Sequence, residues 1–169
     1  MKKLSWLISK TQNSSFYLWL LNKVAAYIVP FNKAHKLSIK KITNHSIEVE
    51  LPYKRANLNH VKGIHACALA TLCEYCTGIV LLSSTDAALY RIILKNINIT
   101  YHYQAKTAVR AKFELSPEWI QLNIVDALKN TEAVFSEFKI EVYDAVNNHI
   151  CTGLINWQIK AWKNVKTKS

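Results

Sequence analysis

Residues 64 to 80 constrain the fold more than any other stretch of the chain. The run is Ala, Cys, Leu and Thr almost all round, with Glu74 its one acidic residue and His65 near its start. A helix apolar on every face is enclosed by other elements, and this one is long enough for about four turns. The flanking sequence predicts strands. Leu37 to Thr43, a turn at Asn44-His45, and the alternating Ile47-Glu48-Val49-Glu50-Leu51-Pro52-Tyr53 read as a hairpin with one wet face.

Beyond the helix, a loop at Ser83-Ser84-Thr85-Asp86 leads back to strands. Arg91 to Tyr103 is expected to put Ile93, Ile97, Ile99, Tyr101 and Tyr103 on one side, opposite Asn96, Asn98, Thr100 and His102. Ala105 to Leu115 sets Val109, Ala111 and Phe113 against Arg110, Lys112 and Glu114. Ser116-Pro117-Glu118 opens a short helix ending near Lys129. Val134–Tyr143 and Ile150–Ile159 form a last hairpin around Asn147-Asn148. Most connections are too short for parallel crossovers, so the strands are antiparallel. The expected class is α+β, a curved sheet around one long helix. An extra helix, Ser15 to Val29, stands in front and is stopped by Pro30.

A chain of 169 residues suits one domain with a real core. Its 22 basic and 11 acidic residues give a net charge of +11, which serves solubility or an anionic partner: nucleic acid, anionic lipid, or a phosphate-bearing small molecule such as coenzyme A. The basic residues are dispersed apart from Lys160, Lys163, Lys166 and Lys168. No nucleic-acid signature accompanies them, and no nucleic-acid partner is expected. Cys67, Cys73 and Cys76 share the central helix while Cys151 is distant. They read as small buried thiols of a cytoplasmic protein, not as a disulfide or metal framework. Lys10 interrupts the first apolar stretch, so no signal peptide is expected. Phe16–Val29 is too short for a comfortable bilayer span and reads as a packing helix or, less simply, a membrane-surface one. Stable membrane insertion is not expected.

The segment from Asn57 to Glu74 carries the chemistry: Asn59 lies six residues before His65, and Glu74 nine after it. In this spacing the chain resembles the hotdog-fold acyl-CoA thioesterases of the phenylacetyl-CoA type, and a bacterial branch that adds an N-terminal helix followed by Pro30-Phe31-Asn32. Those enzymes place an Asn, a His-Gly-Gly at the mouth of the central helix, and an acid at these spacings. The likeness spans about residues 30 to 160, leaving 1–29 as a helical extension and 161–169 as a basic tail. Ala66 and Cys67 replace the two glycines, which keeps the backbone N–H groups but narrows the approach to them.

The resemblance implies hydrolysis of an acyl-CoA or acyl-carrier-protein thioester. Glu74 would act as general base or nucleophile, Asn59 and His65 would assist, and the Ala66 N–H would stabilise the oxyanion. Gly63 and Cys67 would border the substrate. Lys106 and Arg110, with Lys54 or Arg55, would meet the coenzyme A end. No cofactor or metal is called for beyond coenzyme A in the substrate, and a homodimer or homotetramer is implied. Read without the family, a carboxylate on an apolar helix is hydrogen-bonded, neutral, or facing a cleft, or else sits at a gap in the sheet or beside an arginine. Asn59 is equally a turn residue, His65 a structural hydrogen-bonder, and the basic residues ordinary strand-face charges. His60 stands fourteen residues before Glu74, the spacing in hotdog β-hydroxyacyl dehydratases, whose intervening Pro-Gly-rich stretch is missing. A non-catalytic acyl-binding hotdog protein is the third reading.

Overall fold

The structure, a computed structural model, describes residues 2–165. The elements run α1 (Lys2–Thr11), α2 (Ser15–Ile28), the short α3 (Pro30–Lys33), β1 (Ser38–Ile42), β2 (Ser46–Leu51) and the central α4 (Ala66–Ser84). Then follow β3 (Tyr90–Tyr101), β4 (Val109–Glu114), a broken helix and the closing hairpin β5 (Val134–Asp144) and β6 (His149–Ala161). The broken helix is α5 (Pro117–Ile120), a π-helical turn (Gln121–Asp126) and α6 (Ala127–Asn130). One six-stranded sheet has the order β1-β2-β4-β5-β6-β3, with every pairing antiparallel. Of the basic tail, Lys166 and Lys168 lie outside the described residues.

The sheet curls around α4, which buries Leu69, Leu72, Cys73, Cys76, Val80 and Leu81. Alternate residues of the strands meet it: Val49 and Leu51, Val109 and Ala111, Ile140 and Val142, Ile155 and Trp157. Each such large side chain withdrawn from water is worth roughly 1.5–3 kcal/mol. Two of the three glycines set how closely helix and sheet approach. A Cβ at Gly78 would stand 3.0 Å from the Trp157 ring, and one at Gly153 would stand 3.2 Å from Cys73 Sγ. Left-handed backbone falls instead to Lys36, Lys62 and Asn147, so glycine serves packing here and not the turns.

Three expectations need correction. The central helix runs one turn further than Val80, through Ser83 and Ser84, because Ser83 Oγ and Ser84 Oγ both donate to the Asn44 carbonyl and tie the end down. Helix α1, which the sequence pattern did not announce, packs on α2 through Leu7 and Ile8. In β3 a bulge between Leu94 and Asn96 inserts one extra residue, and that reverses the alternation. Ile92 and Leu94 therefore pack inward before it, and Ile97 and Ile99 after it, while Ile93 is 47% exposed. Tyr101 and Tyr103 are also exposed, at the strand's mouth.

The two sheet edges differ. On β1, the Asn22 side chain bonds Ile39 like a strand would: its Oδ1 accepts from Ile39 N at 2.8 Å and its Nδ2 donates to Ile39 O at 3.1 Å. Gln12 Nε2 donates to the Ile42 carbonyl in the same way. The N-terminal helices thus close an edge that would otherwise invite another strand. Edge strand β3 is twelve residues long, and among the described residues nothing pairs with its outer side.

Candidate active site

His65 caps α4. Its backbone is extended (φ −65°, ψ 139°), and Nδ1 accepts from Cys67 N at 3.0 Å, taking one of the donors that open a helix. The His65 carbonyl accepts from Ala68 N and Leu69 N. Ala66 N is left with no partner among the described residues, and it lies at the positive end of the helix dipole. His65 thus serves as the N-cap of α4 through Nδ1.

The loop before the helix is held from inside by Asn57, which no local sequence pattern singles out. Asn57 is 1% exposed; its Nδ2 donates to the carbonyls of His35 and Pro52, and its carbonyl accepts from His65 N at 2.7 Å. Only the approach of His35, two residues past α3, to this loop reveals it. Asn59 closes the turn that follows: its Oδ1 accepts from Val61 N at 3.1 Å and Gly63 N at 3.0 Å. With Oδ1 so engaged, Nδ2 is aimed by the loop and has no partner among the described residues. His60 sits at the exposed tip of this turn, beside the left-handed Lys62.

Asn59, Ile64 and Ala66 meet Tyr101, His102 and Gln104 around a hollow of about 330 Å³ at the mouth of α4. Tyr101 Oη donates to the Ala66 carbonyl at 3.0 Å, and burial pushes its phenol pKa up. Tyr101 stays in phase with Ile97 and Ile99, as strand periodicity predicts, and the fold places it beside the helix mouth. Cys67 is exposed in the first turn, and Gly63 lies under the Gln104 side chain. Lys106 is exposed one residue beyond Ala105, on the rim.

The structure does not bring every candidate here. Arg110 lies on the outer sheet face, where its guanidinium pairs with Glu50 at 2.9 Å. Lys54 Nζ donates to the Ala34 carbonyl at 2.8 Å, and Arg55 is exposed in a 3-10 turn. Glu74 is separated from Ala66 by eight helical residues, about 12 Å along the axis. It is half-buried, with Oε1 lying over the notch at Gly78. Among the described residues its carboxylate has neither a hydrogen bond nor an ion pair, and burial raises its pKa. The nearby Trp157 Nε1 donates to Thr77 Oγ1 instead, at 3.0 Å. Burial likewise raises the thiol of Cys76 and the phenol of Tyr75. No group of three or more His, Cys, Asp or Glu side chains among the described residues is placed to hold a metal.

An antiparallel sheet folded around one buried helix defines the hotdog class. The family model of a domain of unknown function, DUF4442, matches residues 18–159, and the chain belongs to that family. Solved structures agree on the fold. A Pseudomonas aeruginosa protein titled "Probable Thioesterase" superposes with a TM-score of 0.78 at 20% identity, covering 84% of this chain and 94% of its own. A Haemophilus influenzae thioesterase gives 0.65 at 12% identity, covering 88% and 93%. A Staphylococcus aureus thioesterase mutant gives 0.62 at 14%, covering 78% and 99%. No curated protein matches the chain.

Proposed function

We propose that the protein hydrolyses acyl thioesters of coenzyme A or of an acyl carrier protein, with Glu74 as the reacting carboxylate. The observation that supports this most is Glu74 itself. A carboxylate half-withdrawn from water, with no cation or donor beside it among the described residues, costs free energy that packing does not require. The thioesterase titles of the structural neighbours point the same way.

In this reading the thioester oxygen accepts from the open Ala66 N–H, and the Asn59 amide orients the carbonyl or the water. Glu74 takes a proton from water as the water oxygen bonds to the acyl carbon, or attacks that carbon itself. The C–S bond breaks, and the thiolate leaves and is protonated. Where Glu74 has attacked, water then cleaves the acyl–Glu74 anhydride, releasing the free acid and restoring the carboxylate. With the acid about 12 Å from the helix mouth, one chain does not assemble all three groups. The site is therefore shared: Asn59 and Ala66 from one subunit, Glu74 from its partner. Edge strand β3 is the surface on which a two-fold dimer forms, its unpaired backbone groups completing a continuous sheet. The four unpaired cysteines, three of them buried, suit a reducing cytoplasm.

A thiol-release screen over acyl-CoA thioesters, wild type beside Glu74→Gln, tests the proposal. Wild type releases thiol and Glu74→Gln loses at least about 100-fold, the scale of general-base catalysis. Hydrolysis unchanged by the substitution makes Glu74 structural. Dehydration of a hydroxyacyl thioester that His60→Ala abolishes replaces the proposal with the dehydratase reading.

A further inference from the structure

We propose that the N-terminal helices form a peripheral docking face for anionic lipid membranes. Lysines are spread along the chain, but acids are not. Residues 1–47 hold eight lysines and no Asp or Glu, so this segment supplies eight of the eleven net positive charges.

The same segment turns its aromatic residues outward. Phe16, Trp19, Lys23 and Tyr27 recur at spacings of three and four along α2 and form one exposed stripe, while Leu21 on the other side is buried. A helix on a water-facing surface ordinarily shows a polar outer stripe; here it is three aromatics and a lysine. Trp6 of α1 joins it through Tyr17, ring centres 5.8 Å apart, and Phe16 stacks on Trp19 at 5.9 Å. The apolar surface continues through Ile28 at the end of α2 and Phe31 of α3, each 69% exposed, beside Tyr27 at 85%.

Lysine heads sit at the depth of the rings. Lys10 Nζ is 5.8 Å from the Trp6 ring centre, and Lys23 Nζ is 5.6 Å from that of Trp19. A groove of about 800 Å³ between α2 and β1 has Trp19 and Tyr27 in its walls and Lys23, Lys33 and Lys36 at its rim. Indole and phenol rings level with lysines match the boundary between headgroups and acyl chains, and the lysines gain from a negative surface potential. A second copy of this face would set lysine against lysine with no acid to pair them. The proposal does not depend on Glu74 or on the thioester reading.

Vesicle co-sedimentation of the full chain tests it, using phosphatidylcholine alone and with about one-third phosphatidylglycerol. Wild type is expected to pellet with the anionic vesicles only and to be released at about 0.5 M salt. K10E/K23E/K33E and Y27S/F31S, each changing exposed side chains and checked by circular dichroism, are each expected to lose at least about tenfold in partitioning. Wild type left in the supernatant at low salt overturns the proposal, as does binding that neither variant weakens. A lower mass by light scattering for Y27S/F31S makes the face a subunit contact instead. Binding of a purified acidic carrier protein, lost in both variants while vesicles stay unbound, assigns it to a protein partner.

Discussion

A carboxyl group that loses water without gaining a partner holds its proton more tightly, and Glu74 is such a group. Its pKa in the folded protein lies above the ordinary 4.5, so between those values the folded state binds more protons than the unfolded one. The favourable contribution is therefore complete below 4.5 and is lost as pH rises through the raised value. Glu74→Gln, neutral throughout, escapes that loss. Thermal unfolding should find wild type and variant alike in acid and the variant a few degrees more stable at neutral pH; equal stability at both would show that the carboxylate is solvated. If Glu74 is also the base, wild-type kcat/KM falls in acid with an inflection above 4.5, and no such limb remains in whatever activity the variant retains.

Helix and sheet meet where glycine allows it, and β1 is closed where an amide allows it. Alanine usually stabilises a helix relative to glycine by about 1 kcal/mol. Gly78→Ala should nevertheless lose about 1–3 kcal/mol, because the new Cβ would stand 3.0 and 3.1 Å from a Trp157 ring that its bond to Thr77 Oγ1 holds in place. A gain in urea stability would mean that the ring shifts freely. At the sheet edge, Asn22→Ala removes both of the bonds that occupy Ile39. It should cost about 1–3 kcal/mol and speed hydrogen exchange at the Ile39 amide selectively. Uniform acceleration across β1 and β2 would instead place the N-terminal helices' contribution in packing alone.

The whole molecule, in the proposed reading, is at least a dimer. Light scattering at micromolar concentration should return no monomer, since β3 otherwise leaves a twelve-residue edge open. Sharing of the site makes an arithmetical claim about mixed dimers. Pairing an Asn59→Ala chain with a Glu74→Ala chain puts both lesions into one site and none into the other. Differently tagged chains, co-expressed and purified as the heterodimer, should recover about half of wild-type activity from two inactive, folded parents. No recovery sinks the shared site.

The buried helix, the α+β class and the antiparallel hairpins were legible because each rests on a local period: an all-apolar run at 64–80, strict alternation at 47–51 and 109–115, and a Ser-Pro helix start at 116. Glu74 stood out for the same reason, as one charge where the pattern allows none. What depended on partners distant in sequence was hidden. The β3 bulge moves Ile93 to the outer face, out of phase with Ile97 and Ile99, and no local period records an inserted residue. Asn57 and Asn22 look like loop and helix polars until His35 and Ile39 are brought beside them. Alternation puts Arg110 on the polar face of its strand, but only the register with Glu50 shows that it pairs there and does not reach the site. Sequence by itself determined which segments supply the apolar core, because that follows composition and period. The tertiary structure decided which polar groups meet, because hydrogen bonds require particular atoms within about 3 Å of one another.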